Sequence, residues 1–175
     1  MKKVILLVFT CLLLVSCSTK KFDEGMNNVL SDMGKTVVLS SMVCDKISDT
    51  WQTAIYDHKG PGGDYCSDFN IAILELLDIL EQSGTIDSIK AAQSRMESTT
   101  SKLNNPPTNR KECYNDLVEI VSEVSQYAEM ATDPSGSLTS YNVQVNAAEE
   151  NISKKIKKFD IKYSEYINIK PLNEE

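Results

Sequence analysis

One pattern of apolar and small residues constrains the fold of this chain more than any other feature. Its members are separated alternately by four and three residues, and they are Met26, Leu30, Met33, Val37, Ser40, Cys44, Ile47, Trp51 and Ala54. A spacing that averages about 3.5 residues is typical of a helix that packs against other helices along one seam. The pattern predicts a helix from Asp23 to His58, and the residues Lys59-Gly60-Pro61-Gly62-Gly63 should end it.

A second helical segment covers residues 67–103. Ser67 or Asp68 can cap its start, and apolar residues cover so much of its surface between residues 69 and 80 that we expect deep burial. Gly84 should kink this helix. The residues Asn104-Asn105-Pro106-Pro107 should end it, because proline has no amide hydrogen to donate and clashes with the preceding turn.

Two shorter helices are predicted in the rest of the chain. The first should span Asn109 to Thr132, and Asn109 with Glu112 three residues later resembles a capping box. The residues Asp133-Pro134-Ser135-Gly136 are typical of a turn, after which Ser137 can cap the last helix.

No segment of useful length alternates apolar and polar residues as a strand does, so the sequence predicts an all-α fold. At about 1.5 Å per residue the first two helical segments have similar lengths, and short connections favour antiparallel neighbours. We predict an up-down-up-down four-helix bundle with a kinked second helix over residues 23–166, followed by a C-terminal tail at 167–175.

The chain opens with Lys2 and Lys3 and then an apolar run to Val15, which is the layout of an export signal. The run is shorter than the roughly 20 apolar residues of a transmembrane helix. It ends in Leu14-Val15-Ser16-Cys17, which resembles the lipobox of bacterial lipoproteins. The resemblance implies a signal peptide at 1–16, a diacylglycerol on the sulfur of Cys17, acylation of the freed amine with a fatty acid such as palmitate, and a lipidated tether at 17–22. The alternative is an ordinary secretory signal with a chance cysteine.

The resemblance also implies a location. Two or three acyl chains hold a protein stably on a bilayer, so a lipid-anchored cell-envelope protein is expected. In enteric lipoproteins an aspartate after the lipidated cysteine marks retention in the inner membrane, and here Ser18 follows Cys17. The outer membrane is therefore expected in a Gram-negative host. Asp23-Glu24 weakly resembles the acidic surface-export signal of Bacteroidetes lipoproteins, which leaves surface exposure open.

The charge of the chain bears on its partners. Removal of residues 1–16 deletes two lysines and moves the net charge from −7 to −9. Nucleic acid is not expected as a partner, because binding to a phosphate backbone needs a basic surface. His58 is the single histidine, which excludes two-histidine zinc motifs and paired Glu-x-x-His di-iron sites within one chain. We expect His58 to have a structural or capping role, and we expect no metal and no cofactor apart from the lipid on Cys17.

Three cysteines remain in the body of the chain, namely Cys44, Cys66 and Cys113. The predicted bundle separates them by more than the roughly 7 Å between Cα atoms that a disulfide allows, so none should pair within the chain. Cys44 lies on the seam and should be a small core residue. Cys66 lies beside a loop and should be the most exposed of the three.

Two groups of residues are candidates for contact with other molecules. Tyr56, Tyr65 and Tyr141 lie near the loops at the membrane-distal end, and aromatic residues are enriched in contact surfaces. Alternatively, Tyr56 and Tyr141 close the end layer of the core. The only basic cluster should lie at the membrane end, where it could contact lipid headgroups or complement the helix dipole; it comprises Lys154, Lys155, Lys157 and Lys158.

The sequence contains no nucleophile elbow, phosphate-binding glycine loop or Cys-His-Asn set, so we assign no catalytic residue and do not expect an enzyme. Acidic groups such as Glu75-Asp78-Glu81 and Glu119-Glu123 have the spacing of a solvated helix face. The body loosely resembles small helical bacterial lipoproteins of unassigned activity. We predict a binding or structural role through the membrane-distal tip. The alternative is an acidic inhibitor or immunity-type protein that blocks a basic toxin or envelope enzyme.

Overall fold

The computed structural model describes residues 2–165 and 167, and the side chains from Thr19 onward within that part. Its regular elements are helices: α1 (Lys2–Tyr56), α2 (Phe69–Gln82), α3 (Thr85–Lys102), α4 (Lys111–Thr132) and α5 (Leu138–Tyr163), with a 3₁₀ turn at Thr108–Arg110. Within the described residues the only strand-like pairing is an isolated bridge between Lys59 and Tyr65. The prediction of an all-α chain is confirmed.

Helix α1 is the element against which the others pack, since it contacts α2, α3, α4 and α5. Of the seam residues that the sequence identified, only Val37 is not fully buried. Met26 and Ile47 have no exposed surface at all, and they belong to one hydrophobic core to which all five helices contribute residues. The 3.5-residue spacing thus locates the core correctly.

Contacts along α1 give the directions of the other helices. Near the middle of α1, Gly25 leaves so little room that an added Cβ would lie 2.8 Å from the Leu103 side chain, just after α3 ends. Near its end, the ring of Trp51 meets the ring of Tyr141 edge to face at 5.4 Å, just after α5 begins. Helices α3 and α5 therefore run antiparallel to α1. We call the end that carries the connections 57–68 and 133–137 the loop end.

The second predicted helix is two helices. Ser83 and Gly84 separate α2 from α3, and Gly84 has a φ of 75°. This left-handed conformation favours glycine because it has no Cβ, and it lets the chain change direction after the last turn of α2. The predicted kink near Gly84 is thus a complete break.

The helix starts agree with the sequence in two cases out of three. Asp68 caps α2 by accepting a hydrogen bond from the Asn70 amide at 2.8 Å. Ser137 caps α5 in a reciprocal box with Ser140. The box predicted from Asn109 and Glu112 is wrong: Asn109 lies in the 3₁₀ turn, and the residue that caps α4 makes no side-chain capping bond.

Both ends of α1 differ from the prediction. The helix begins at Lys2 instead of Asp23, so the predicted tether at 17–22 has a helical backbone, and Phe22 is buried in the core. The helix ends at Tyr56, and His58 lies beyond it, exposed and with a φ of 53°. The side chain of Cys17 and the tail residues 168–175 lie outside the described residues, whereas Ile167 is buried.

Adjacent residues of α4 provide a test of this core. Leu117 has no exposed surface and Val118 is 39% exposed. Replacing Leu117→Ala should lower the free energy of unfolding by about 2–5 kcal/mol, because it removes buried methyl groups and leaves a cavity. Val118→Ala should change it by less than about 0.5 kcal/mol. Urea denaturation followed by circular dichroism measures both, and equal losses would contradict the assignment of the buried face.

Candidate functional site

The connection between α1 and α2, residues 57–68, is a defined turn held by backbone hydrogen bonds. The Gly60 amide donates to the Asp64 carbonyl at 2.9 Å, and the Cys66 amide donates to the His58 carbonyl at 2.8 Å. A small apolar cluster beneath the turn holds it against the helices, and its members are Ala54, Cys66 and Ala72. The turn therefore presents its outer side chains in one arrangement.

Helix α2 is apolar on two sides. Its inner side packs against α1 and α3 and buries Ala72, Ile73, Leu76 and Leu80. Its outer face, which we define as Ile71, Leu74 and Ile79, is 50%, 66% and 49% exposed. The expectation of deep burial is wrong for this face, because the helix lies at the edge of the molecule and its neighbours cover one side only.

A cleft of about 530 Å³ lies between the turn and the outer face of α2. Tyr65, Ile71 and Ile79 supply apolar lining. Four carboxylates also line the cleft, and no lysine or arginine is among the lining residues; we call this group the acidic rim, and it comprises Asp64, Asp68, Glu75 and Asp78.

The members of the acidic rim differ in what they already bind. Asp68 caps α2, and Asp78 accepts a hydrogen bond from the Gln82 amide nitrogen at 2.7 Å. The Glu75 carboxylate forms no hydrogen bond or ion pair with any described residue, although it lies beside Gly60 of the turn. The Asp64 carboxylate likewise forms no such bond, so Glu75 and Asp64 are the rim carboxylates most available to a cation from outside.

Two of the three tyrosines predicted to bind a partner are exposed at the loop end. Tyr56 is 71% exposed and Tyr65 is 79% exposed. Tyr141 is only 2% exposed, because it packs against Trp51 and its hydroxyl donates to the Met130 carbonyl at 3.1 Å. Tyr141 thus closes the end layer of the core and is not part of an accessible surface.

The four lysines predicted to contact headgroups all lie on α5, but two of them have partners. Lys154 pairs with Glu150 one turn earlier, and Lys155 pairs with Glu123 of α4. Lys157 and Lys158 are exposed and form no ion pair with the described residues. Lys157 and Lys158 are therefore the two lysines of this cluster that no ion pair within the described residues occupies.

The next lysine of α5 is neutralised as well. Lys162 bridges Glu112 and Asp116 of α4, at 2.7 and 2.8 Å. Burial disfavours ionisation of Asp116, but hydrogen bonds from Lys162 and Tyr163 outweigh it, so the pKa of Asp116 lies below its usual range. Burial and the hydrogen bond to Asp116 raise the pKa of Tyr163 to about 12. These contacts fix the end of α5 against α4.

An internal polar group joins α1, α4 and α5. The Tyr127 hydroxyl donates to the Glu149 carboxylate, which also accepts a hydrogen bond from Ser41 at 2.9 Å. Burial, and then the bond to Glu149, raise the pKa of Tyr127. Sequence analysis missed this group, because its members are far apart in the chain and no local pattern relates them. The only signal in the sequence was that α1, α4 and α5 each have a polar residue near the face that packs inward.

The three body cysteines are unpaired and buried. Burial raises the pKa of Cys44, and it raises the pKa of Cys113 to about 12. Both thiols are therefore protonated at neutral pH and are weak nucleophiles. Cys66 is the most exposed of the three, as predicted, but at 8% it is still buried, because its side chain packs beneath the turn and its thiol donates to the Asp68 carbonyl at 3.0 Å.

Comparison of the chain with protein-family models, with curated proteins and with solved structures finds no match. Among the described residues, no group of three or more His, Cys, Asp or Glu side chains is arranged to hold a metal ion. Within the same part of the chain, no helical stretch combines the length and the hydropathy that crossing a bilayer requires. Geometry alone therefore identifies the cleft and the outer face of α2 as the candidate site.

Thiol reactivity tests the placement of the cysteines. Cys44 and Cys113 are at most 1% exposed, so iodoacetamide should modify them only when the protein unfolds globally. Cys66 is 8% exposed and lies under a surface turn, so we expect it to react first. Peptide mass spectrometry after timed labelling gives the order, and a Cys66→Ser variant identifies its signal. Labelling of Cys44 at the rate of Cys66 in the folded protein would contradict this packing.

Proposed function

We propose that this protein is a lipid-anchored cell-envelope protein that binds another envelope component through its loop end, with no catalysis. The observation that carries the proposal is the exposed apolar surface of the loop end, formed by the outer face of α2 together with Tyr65. Soluble surfaces rarely expose neighbouring large apolar side chains unless another molecule covers them.

The anchor is the least tested part of the proposal, and two observations support it. Leu14-Val15-Ser16-Cys17 resembles a lipobox, and the charged and apolar residues before it have the layout of an export signal. The backbone of α1 is helical from Lys2 to Tyr56, so Cys17 lies 39 residues before the end of α1 at the loop end. From Cys17 to Tyr56 a helix extends about 58 Å at about 1.5 Å per residue.

We also propose an up-down-up-down four-helix bundle, in which α2 and α3 together take the place of the second helix. Cross-helix contacts at several heights along α1 support it. Asp23, near the middle of α1, pairs with Arg110 at 2.8 Å. Ser48, nearer the loop end of α1, donates to Asn142 at 2.6 Å. In this arrangement Lys157 and Lys158 lie in the half of α5 nearer the membrane, where anionic headgroups would attract them.

The rigidity of the turn favours a binding role. A surface that is already ordered loses less conformational entropy when a partner docks on it. The hydrogen bonds within residues 57–68 and the apolar cluster beneath them keep the turn in place. Exposed tyrosines next to such a turn supply contact area at small entropic cost.

A second candidate function is the inhibitor or immunity-type role, in which this protein blocks a basic toxin or envelope enzyme. The acidic rim favours it, because four carboxylates without a neighbouring cation in the cleft lining would complement a basic surface. The two roles differ in outcome: an inhibitor abolishes the activity of the partner that it captures, whereas a structural binder leaves that activity intact.

The anchor predicts a clear phenotype for Cys17→Ser. The wild-type protein should sediment with membranes and carry a diacylglycerol and a fatty acyl mass on its N-terminal cysteine. The variant should carry no lipid mass and keep its uncleaved signal. Intact-protein mass spectrometry of the membrane fraction measures this. A wild-type protein with an unmodified thiol at Cys17 would refute the anchor.

The binding role predicts position-specific crosslinking in living cells. A photoreactive amino acid in place of Tyr65 should form a discrete adduct upon irradiation. The control carries the photoreactive amino acid in place of Ile161, which is 71% exposed and lies near the end of α5 that is away from the loop end. This control should not form the adduct. Gel shifts and mass spectrometry identify the adducts. Equal adducts at both positions, or none at Tyr65, would count against a binding surface at the loop end.

A further inference from the structure

The surface at the loop end combines two properties that point to one kind of partner. The outer face of α2 exposes three large apolar side chains, and two carboxylates of the acidic rim, Glu75 and Asp78, lie between them on the same side of the helix. We propose that this surface binds a cationic amphipathic segment of another protein, whose apolar side covers the outer face of α2 and whose lysines or arginines contact the acidic rim. The inference rests on the proposed function and specifies the partner's chemistry.

The apolar half of the proposal comes from the spacing of the outer face. At about 100° per residue, Leu74 lies about 60° to one side of Ile71 and Ile79 about 80° to the other, so the three side chains span about 140° of the outer surface of α2 over about two turns. Each is about half exposed or more. A helix laid along such a surface would cover it with apolar residues at helical spacing, which is a common mode of peptide recognition.

The charged half comes from the distribution of carboxylates. Glu75 and Asp78 lie on the same outer side of α2, and Asp64 and Asp68 approach from the turn. Lys59 is the nearest cation in the turn by sequence, but it is not among the residues that line the cleft. Since Glu75 has no partner among the described residues, an incoming cation would not have to displace an existing ion pair.

Charge also argues against the other occupants of such a surface. Two copies of this chain that met through their α2 faces would bring the acidic rims together, and like charges disfavour that contact. An anionic bilayer would be repelled for the same reason. A cationic peptide gains both the apolar contact and the charge pairing, so it is the occupant that the surface fits best.

The test uses the full-length chain, purified from membranes and reconstituted into phosphatidylcholine nanodiscs. The probe is a dye-labelled amphipathic helical peptide of lysine, leucine and alanine, and fluorescence anisotropy measures its binding. Empty nanodiscs supply the background that is subtracted. A peptide of the same pattern with glutamate in place of lysine tests the sign of the charge.

Matched variants separate the two halves of the surface. Leu74→Gln should weaken binding roughly tenfold, the effect of losing one large apolar contact. Glu75→Gln with Asp78→Asn should weaken it roughly three- to tenfold and reduce its dependence on salt. Val143→Gln is the control, because Val143 is 64% exposed and lies in the second turn of α5, so binding should be unchanged. All substituted positions are exposed, and circular dichroism verifies that the variants fold.

Several results would overturn the inference. The wild type could bind no lysine peptide above background, bind the glutamate peptide equally well, or bind equally well in all variants. Sedimentation that showed a dimer lost in Leu74→Gln would assign the surface to a second copy of the chain. If the peptide fails while crosslinks at Tyr65 persist in cells, the binding role stands and only the partner's chemistry is wrong. Failure of both tests would remove the proposed function as well.

Discussion

The packing of α1 against every other helix is the constraint on which the rest of the structure depends. Its seam residues occur every 3.5 residues on average, which keeps one side of a long helix continuously buried. Contacts at two heights along α1, namely Gly25 with Leu103 and Trp51 with Tyr141, then fix the register of α3 and α5 along it.

Local patterns in the sequence predicted the features that depend on local physics. The seam of α1, the caps at Asp68 and Ser137 and the change of direction at Gly84 follow from periodicity, side-chain hydrogen bonding and backbone conformation. Each of these involves residues within a few positions of one another. They could therefore be recognised before any tertiary contact was known.

Several of the errors share a cause, because they depend on how many neighbours surround a side chain in the assembled fold. Leu74 and Ile79 look like core residues by composition, but α2 lies at the edge of the molecule and leaves them exposed. Tyr141 lies beside a turn in the sequence, yet the ring of Trp51 covers it. The contact between Tyr127 and Glu149 joins residues that no local pattern relates. Exposure of this kind is decided by the assembled fold.

The short distance in sequence between Cys17 and the first packed residues has a consequence for where the protein could act. Phe22 lies in the core and Asp23 is clamped by two hydrogen bonds from Arg110, so the folded body begins almost at the proposed acylation site. In a protein attached in this way, rigid helices and not a flexible linker set the distance between the loop end and the bilayer. A partner that binds the loop end must therefore be present at that distance from the bilayer. This restricts the candidates to molecules that already lie within one bundle length of the lipid surface.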